Sequence, residues 1–282
     1  MKKLSLIAAL FAAMTMNATD LFTGNQHVSW SDGGLQIQAA QFAGATAGQK
    51  IVVHFTGASD GIEFKVLGDF HHLPGSREAA WISGDGTFEQ FLTAAAVTDL
   101  QTNGLEIIGA NLTVTQVELL DGKELKEGIT VWTGFFWADD WSTLELYAEG
   151  YNNIDFSTIT AIRFYSEAAG ADYVLNFLQG RGEGEKFADQ AAMSNGEGYK
   201  ELTLTDELRT AMAAAGHWMV QFNKEALSPF NVTDIVLVPV TTEETAVENT
   251  AAESKALKRI VNGQLIIVRG EQMFNALGAQ MR

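Results

Sequence analysis

The stretch AAWISGDGTFEQFLT, residues 79–93, returns without a gap as AAMSNGEGYKELTLT, residues 191–205, so that Ala79 meets Ala191 112 positions further on. Seven of the 15 pairs are identical, and Asp85 opposite Glu197 keeps its charge. The same spacing pairs Leu100 with Met212, Gly104 with Gly216, Ile107-Ile108 with Met219-Val220, and Gly68 with Gly180. Toward the front it drifts only slightly, from Thr23-Gly24 to Thr133-Gly134 and from Trp30-Ser31 to Trp141-Ser142. At the back, Val114-Thr115-x-Val117-x-Leu119 is answered by Val232-Thr233-x-Ile235-x-Leu237. Landmarks kept in one order over such a length mean a duplicated module, and a repeat governs how the rest is read. Module A takes residues 19–121 and module B residues 123–240, joined by the polar turn Asp121-Gly122-Lys123.

Within each module the pattern is that of strands. Ile51-Val52-Val53-His54-Phe55 and residues 104–108, 112–120 and 173–178 are short β-branched or aromatic runs bounded by Gly, Asn and Asp turns. One helix is predicted per module. Thr93 and Thr205 are its N-caps, Asp206-Glu207 suits the positive first turn, and Gly104 and Gly216 stand where left-handed C-caps belong. Many strands and one short helix per repeat point to an all-β fold of two tandem jelly-roll β-sandwich modules. Trp30 and Trp141 share a repeat position, as do Trp132 and Phe22, and all are expected in the core.

The ends and the composition set the context. Lys2-Lys3 followed by an apolar run to Met14 is the layout of a secretory signal peptide, residues 1–18. That run is shorter than the roughly 20 residues a spanning helix needs, so no membrane insertion is expected. With 46% hydrophobic and 10% aromatic residues among 282, the mature chain can bury a real core. The absence of cysteine rules out disulfides, a cysteine metal site and a lipid-bearing cysteine. A formal charge of -17, from 18 basic against 35 acidic residues, argues against nucleic acid or anionic lipid as partner and favours a neutral or cationic ligand, or simply solubility. Residues 241–256 form an acidic, Thr-rich linker, and residues 257–282 read as a β-hairpin tail too small to fold alone.

The segments Leu105-Glu106-Ile107-Ile108-Gly109 and Thr113-Val114-Thr115-Gln116-Val117-Glu118-Leu119, with the opening Leu21-Phe22-Thr23-Gly24 and its echo Val131-Trp132-Thr133-Gly134, resemble galactose-binding-like jelly-roll modules that accompany carbohydrate-active proteins in Bacteroidetes. The likeness covers both modules and rests mainly on structural positions. The tail, Ile260 to Gly270 and Met273 to Ala279, resembles the C-terminal tail of exported Bacteroidetes proteins and, more loosely, the sorting domain of their type IX secretion route, although it has no Pro-x-Gly segment. The resemblance implies a secreted or cell-surface protein whose tail meets secretion machinery.

The richest segment for chemistry is Trp132-Thr133-Gly134-Phe135-Phe136-Trp137-Ala138-Asp139-Asp140-Trp141. Sugar rings stack their apolar faces on flat aromatic side chains while carboxylates accept from their hydroxyls. Phe135, Phe136 and Trp137 have no aromatic counterparts in module A, where Asn25, Gln26 and His27 stand instead, so the shared fold does not require them. They are the candidate glycan-binding residues, with Asp139 and Asp140 beside them and Trp81 as the corresponding candidate in module A. Asp139 and Asp140 are adjacent on a strand and point to opposite faces, so they are no glycosidase pair. Asp69-Phe70-His71-His72 is read as an exposed loop without a third zinc ligand. Gly180-Arg181-Gly182-Glu183-Gly184-Glu185 lacks the spacing and Lys of a phosphate loop and is read as an acidic loop with calcium as a minor possibility. No nucleophile elbow or triad emerges, so no catalytic residue is assigned. The function expected is non-catalytic binding of a glycan or polysaccharide without a cofactor. A carbohydrate-active hydrolase with dispersed carboxylates and a structural envelope protein without a small ligand stay open.

Overall fold

The computed structural model describes residues 18–69, 71–76, 80–138, 142–167, 174–180, 186–188, 194–195, 198–223, 230–240, 257–261, 264–269, 272–275 and 280–281. In module A, alternation sets the strands: Leu35 and Ile37 face inward while Gln36 and Gln38 face out. The elements are β1 (Thr19–Val28), β2 (Leu35–Gln38), β3 (Lys50–Ala58), β4 (Gly61–Val66), β5 (Ala80–Trp81), β6 (Gly84–Phe91), α1 (Ala94–Thr102), β7 (Gly104–Gly109) and β8 (Leu112–Leu120). They form two antiparallel sheets, ordered β1-β8-β3-β6 and β2-β7-β4-β5. Eight strands shared between two sheets in this order make a jelly roll. Ile51, Val53 and Phe55 of one sheet and Ile62, Phe64 and Ile107 of the other meet in a single core.

Module B repeats the plan with β9 (Ile129–Ala138), β10 (Thr143–Tyr147), β11 (Ile159–Ser166), β12 (Val174–Leu178), β13 (Lys186–Ala188), β14 (Ser194–Asn195), β15 (Tyr199–Thr203), α2 (Asp206–Ala214), β16 (His217–Asn223) and β17 (Phe230–Pro239). Its sheets run β14-β15-β11-β17-β9 and β10-β16-β12-β13. Apart from the added edge strand β14, each strand occupies the place of its counterpart in module A. The second core is more aromatic. Trp218 stacks on Tyr151 at 3.8 Å and meets Phe156 and Phe177 edge-on.

Both helices start as expected, the Thr93 hydroxyl accepting from Ala96 N and that of Thr205 from Leu208 N. Their ends differ. Gly104 follows α1 at φ 97, a left-handed conformation that favours glycine, but Gly216 is not left-handed because Ala215 leaves α2 in extended conformation. In module B side chains satisfy the last-turn carbonyls instead, with Tyr151 Oη donating to Ala215 O at 2.8 Å and Trp218 Nε1 to Met212 O at 3.0 Å.

Trp30 corrects the expectation of a core residue. It is 47% exposed at the tip of the β1–β2 turn, which Ser29 closes by accepting from Asp32 N. The turn, rather than the strand, carries the ring, so nothing packs it inward. Trp132 is buried, and Trp141 lies outside the described residues.

The tail is larger than a hairpin. β18 (Leu257–Val261), β19 (Gln264–Arg269), β20 (Gln272–Asn275) and β21 (Gln280–Met281) pair in sequence order, and Thr241–Arg282 forms a compact unit separate from Met1–Val240. Pairing three or more strands supplies what one hairpin lacks. Among the described residues no helix is long and apolar enough to cross a membrane.

Candidate functional site

On β9 the rings of Trp132 and Phe136, four residues apart, share the inward face of the strand. Phe136 is only 5% exposed and belongs to the module B core, so of the three candidate rings it is the one the fold needs. Phe135 and Trp137 point the other way and stand 56% and 58% exposed. The register slips between Val232 and Asp234, where Gly134 and Phe135 oppose Thr233 alone, a bulge in an edge strand.

Trp137 faces Asn231 across β17. The Asn231 amide donates to Glu167 Oε2 at 2.7 Å, and Glu167 N donates to Asn231 O at 3.0 Å. An exposed indole, an amide and a carboxylate thus lie side by side over three neighbouring strand ends. The next row holds Asp234, Tyr165 and Tyr199, which are direct cross-strand neighbours. The two tyrosine rings lie 5.0 Å apart, and Arg163 stacks its guanidinium 4.7 Å from the Tyr199 ring while bonding Glu201 at 2.6 Å.

The inter-module linker, residues 121–128, lies along this face. Lys123 N donates to Gly48 O of module A at 2.9 Å, and Lys123 Nζ reaches into module B to Thr233 O at 2.6 Å and Gly134 O at 3.1 Å. The same ammonium pairs with buried Asp234 at 3.2 Å and lies over the rings of Phe91 and Phe135, which meet edge-on at 5.6 Å. Burial holds the Lys123 pKa below its ordinary value, and Asp234 opposes that shift. Gly122 is a glycine for a local reason: a Cβ there would stand 2.1 Å from Gly48 O. Phe135 is therefore partly a module contact, and Trp137 is the ring that projects beyond it.

Trp81 is 82% exposed on the edge strand β5 of module A. The His71-His72 segment is not the exposed loop expected: His72 Nε2 lies 2.8 Å from Lys65 Nζ and its ring stacks at 4.1 Å on Tyr147 of module B. Among the described residues no group of three or more His, Asp or Glu is placed to hold a metal. Asp139, Asp140 and residues 181–185 of the acidic loop lie outside the described residues. Sequence reasoning missed Asn231, Glu167, Tyr165 and Tyr199, because only strand register brings them onto the same face as Trp137. The even spacing of Trp132 and Phe136 was the available signal that Phe136 is core.

Fold and face together define a duplicated jelly-roll protein that presents aromatic and hydrogen-bonding side chains on one sheet. No family model and no curated protein matches the chain. Among solved structures it is similar to SGBP-B of the Bacteroides ovatus mixed-linkage glucan utilization locus, solved in complex with a mixed-linkage heptasaccharide, at 23% identity and a TM-score of 0.32, over 36% of this chain and 28% of that one. A protein of Parabacteroides distasonis described as secreted matches at 8% identity and a TM-score of 0.21, over 79% of this chain and 86% of that one.

Proposed function

We propose that this chain is an exported, non-catalytic carbohydrate-binding protein of the cell surface or surroundings, which holds glycan on the outward face of the larger module B sheet. The observation that carries the reading is Trp137, more than half exposed beside the hydrogen-bonded pair Asn231 and Glu167. A large ring left in water on a sheet whose other face is fully packed has no structural duty there. Stacking a sugar on the indole removes apolar surface from water, while the amide and carboxylate take up its hydroxyls. Trp81 on module A is a second ring of the same kind. The tail, behind an acidic linker, serves sorting or retention through secretion machinery.

Affinity electrophoresis of the full chain against neutral polysaccharides, run beside a reducing-sugar assay, tests this. Retardation that Trp137→Ala abolishes, without sugar release, is the expected result. Sugar release would establish a hydrolase, and no retardation by any polysaccharide would leave a structural envelope protein.

A further inference from the structure

The glycan-facing groups of module B do not cluster around one point. Trp137 sits on β9, Asn231 on β17, Tyr165 on β11 and Tyr199 on β15, one on each of four neighbouring strands. With strands about 4.8 Å apart, the track from the first to the last is about 14 Å across the sheet, wider than any single sugar ring. Along one side of it runs the linker, pinned by Lys123 over Phe135 and by Lys126, whose ammonium lies 5.4 Å above the Tyr165 ring. Gly128 closes the same wall against Val236, since a Cβ there would stand 2.6 Å from its Cγ1. The charges on the floor are already matched, Arg163 by Glu201 and Lys123 by Asp234, in a chain of net charge -17.

Resting on the glycan reading above, we infer that the ligand is a linear neutral oligosaccharide longer than a disaccharide, lying across the strands from Trp137 to Tyr199 with the linker as one wall, and not a single terminal sugar. Length follows from the spread of the rings over four strands. Neutrality follows from the exposed Glu167 carboxylate beside Trp137 and the net charge of -17, both of which disfavour a chain of uronates. The linker is thereby part of the site as well as the joint between modules, and Lys126 becomes a ligand contact.

The test is calorimetric titration of the full chain with a series from the monosaccharide to the hexasaccharide, prepared from whichever of β-glucan, xylan or mannan retards it on affinity gels. Affinity is expected to rise by about tenfold or more between the monosaccharide and the trisaccharide and then level off. Tyr199→Ala should remove most of that gain while leaving disaccharide affinity within about twofold. Lys126→Ala, whose exposed side chain leaves the core untouched, should weaken only the longer ligands and supplies the same test if Tyr199→Ala fails to fold. Equal affinity along the whole series, or variants that weaken the monosaccharide as much as the hexasaccharide, would overturn the inference and leave the glycan reading standing. If no polysaccharide binds, the glycan reading fails and this inference falls with it.

Discussion

At the scale of the residue, neighbours on one strand have opposite duties. Removing Phe136 opens a cavity among Trp132, Val232 and the rest of the module B core, and Phe136→Ala should cost about 3–5 kcal/mol of stability with a clear fall in melting temperature. Trp137→Ala should leave the melting temperature nearly unchanged and weaken glycan binding by about fivefold or more, since stacking contributes about 1 kcal/mol or more. Thermal melts and titrations on the two variants check both, and a large loss of stability in Trp137→Ala would return that ring to the core. Tyr151 offers a prediction in pH. Burial against Trp218 raises its pKa well above the ordinary 10.0, so the folded protein holds the phenol neutral. Its contribution is complete below pH 10 and is lost as pH rises beyond that, because the unfolded chain then releases a proton that the folded one retains. Tyr151→Phe gives up the bond to Ala215 O at neutral pH but should show a shallower loss of stability above pH 10, followed by chemical denaturation across that range.

At the scale of the element, the two helices show how a shared signal can have unequal weight. Thr93 is buried, caps α1 and also reaches Pro74 O, whereas Thr205 caps α2 from an exposed position. Thr93→Ala should therefore cost about 1–2 kcal/mol and Thr205→Ala about 0.5–1, measured by denaturant unfolding. Equal costs would mean that burial adds nothing to the cap. The threonines were legible because capping is local, settled within three residues of the cap. The close of α2 was not, because Ala215 O is satisfied by Tyr151, 64 residues earlier in the chain, and only the packing of the following strand turns Trp218 back onto Met212 O. Trp30 teaches the same point from the opposite direction. Its repeat position suggested a core residue, but a turn closed by Ser29 carries it out to solvent.

At the scale of the whole molecule, each module has its own hydrophobic core, one drawn from residues between Leu21 and Leu119 and the other from residues between Val131 and Leu237. Thr241–Arg282 clusters as a compact unit of its own, apart from the unit that holds both modules. Deleting everything after Thr250 should thus leave the melting temperature of the remainder nearly unchanged while altering export or surface retention. A truncated chain that fails to fold would show that the tail supports a module. The duplication, the strand-rich sandwich class and the helix starts were determined by the sequence itself, because alternation and capping are written in residues close together along the chain, and the repeat is written in residue identities that need no folding to be read. The tertiary structure alone decided which rings of the aromatic run face water, that the inter-module linker is pinned over the sheet by Lys123 and Asp234, and that Asn231, Glu167, Tyr165 and Tyr199 share one face of the sheet with Trp137. The reason is physical: cross-strand neighbours are set by register between segments tens of residues apart, and a single bulge on β9 is enough to change which side chains meet.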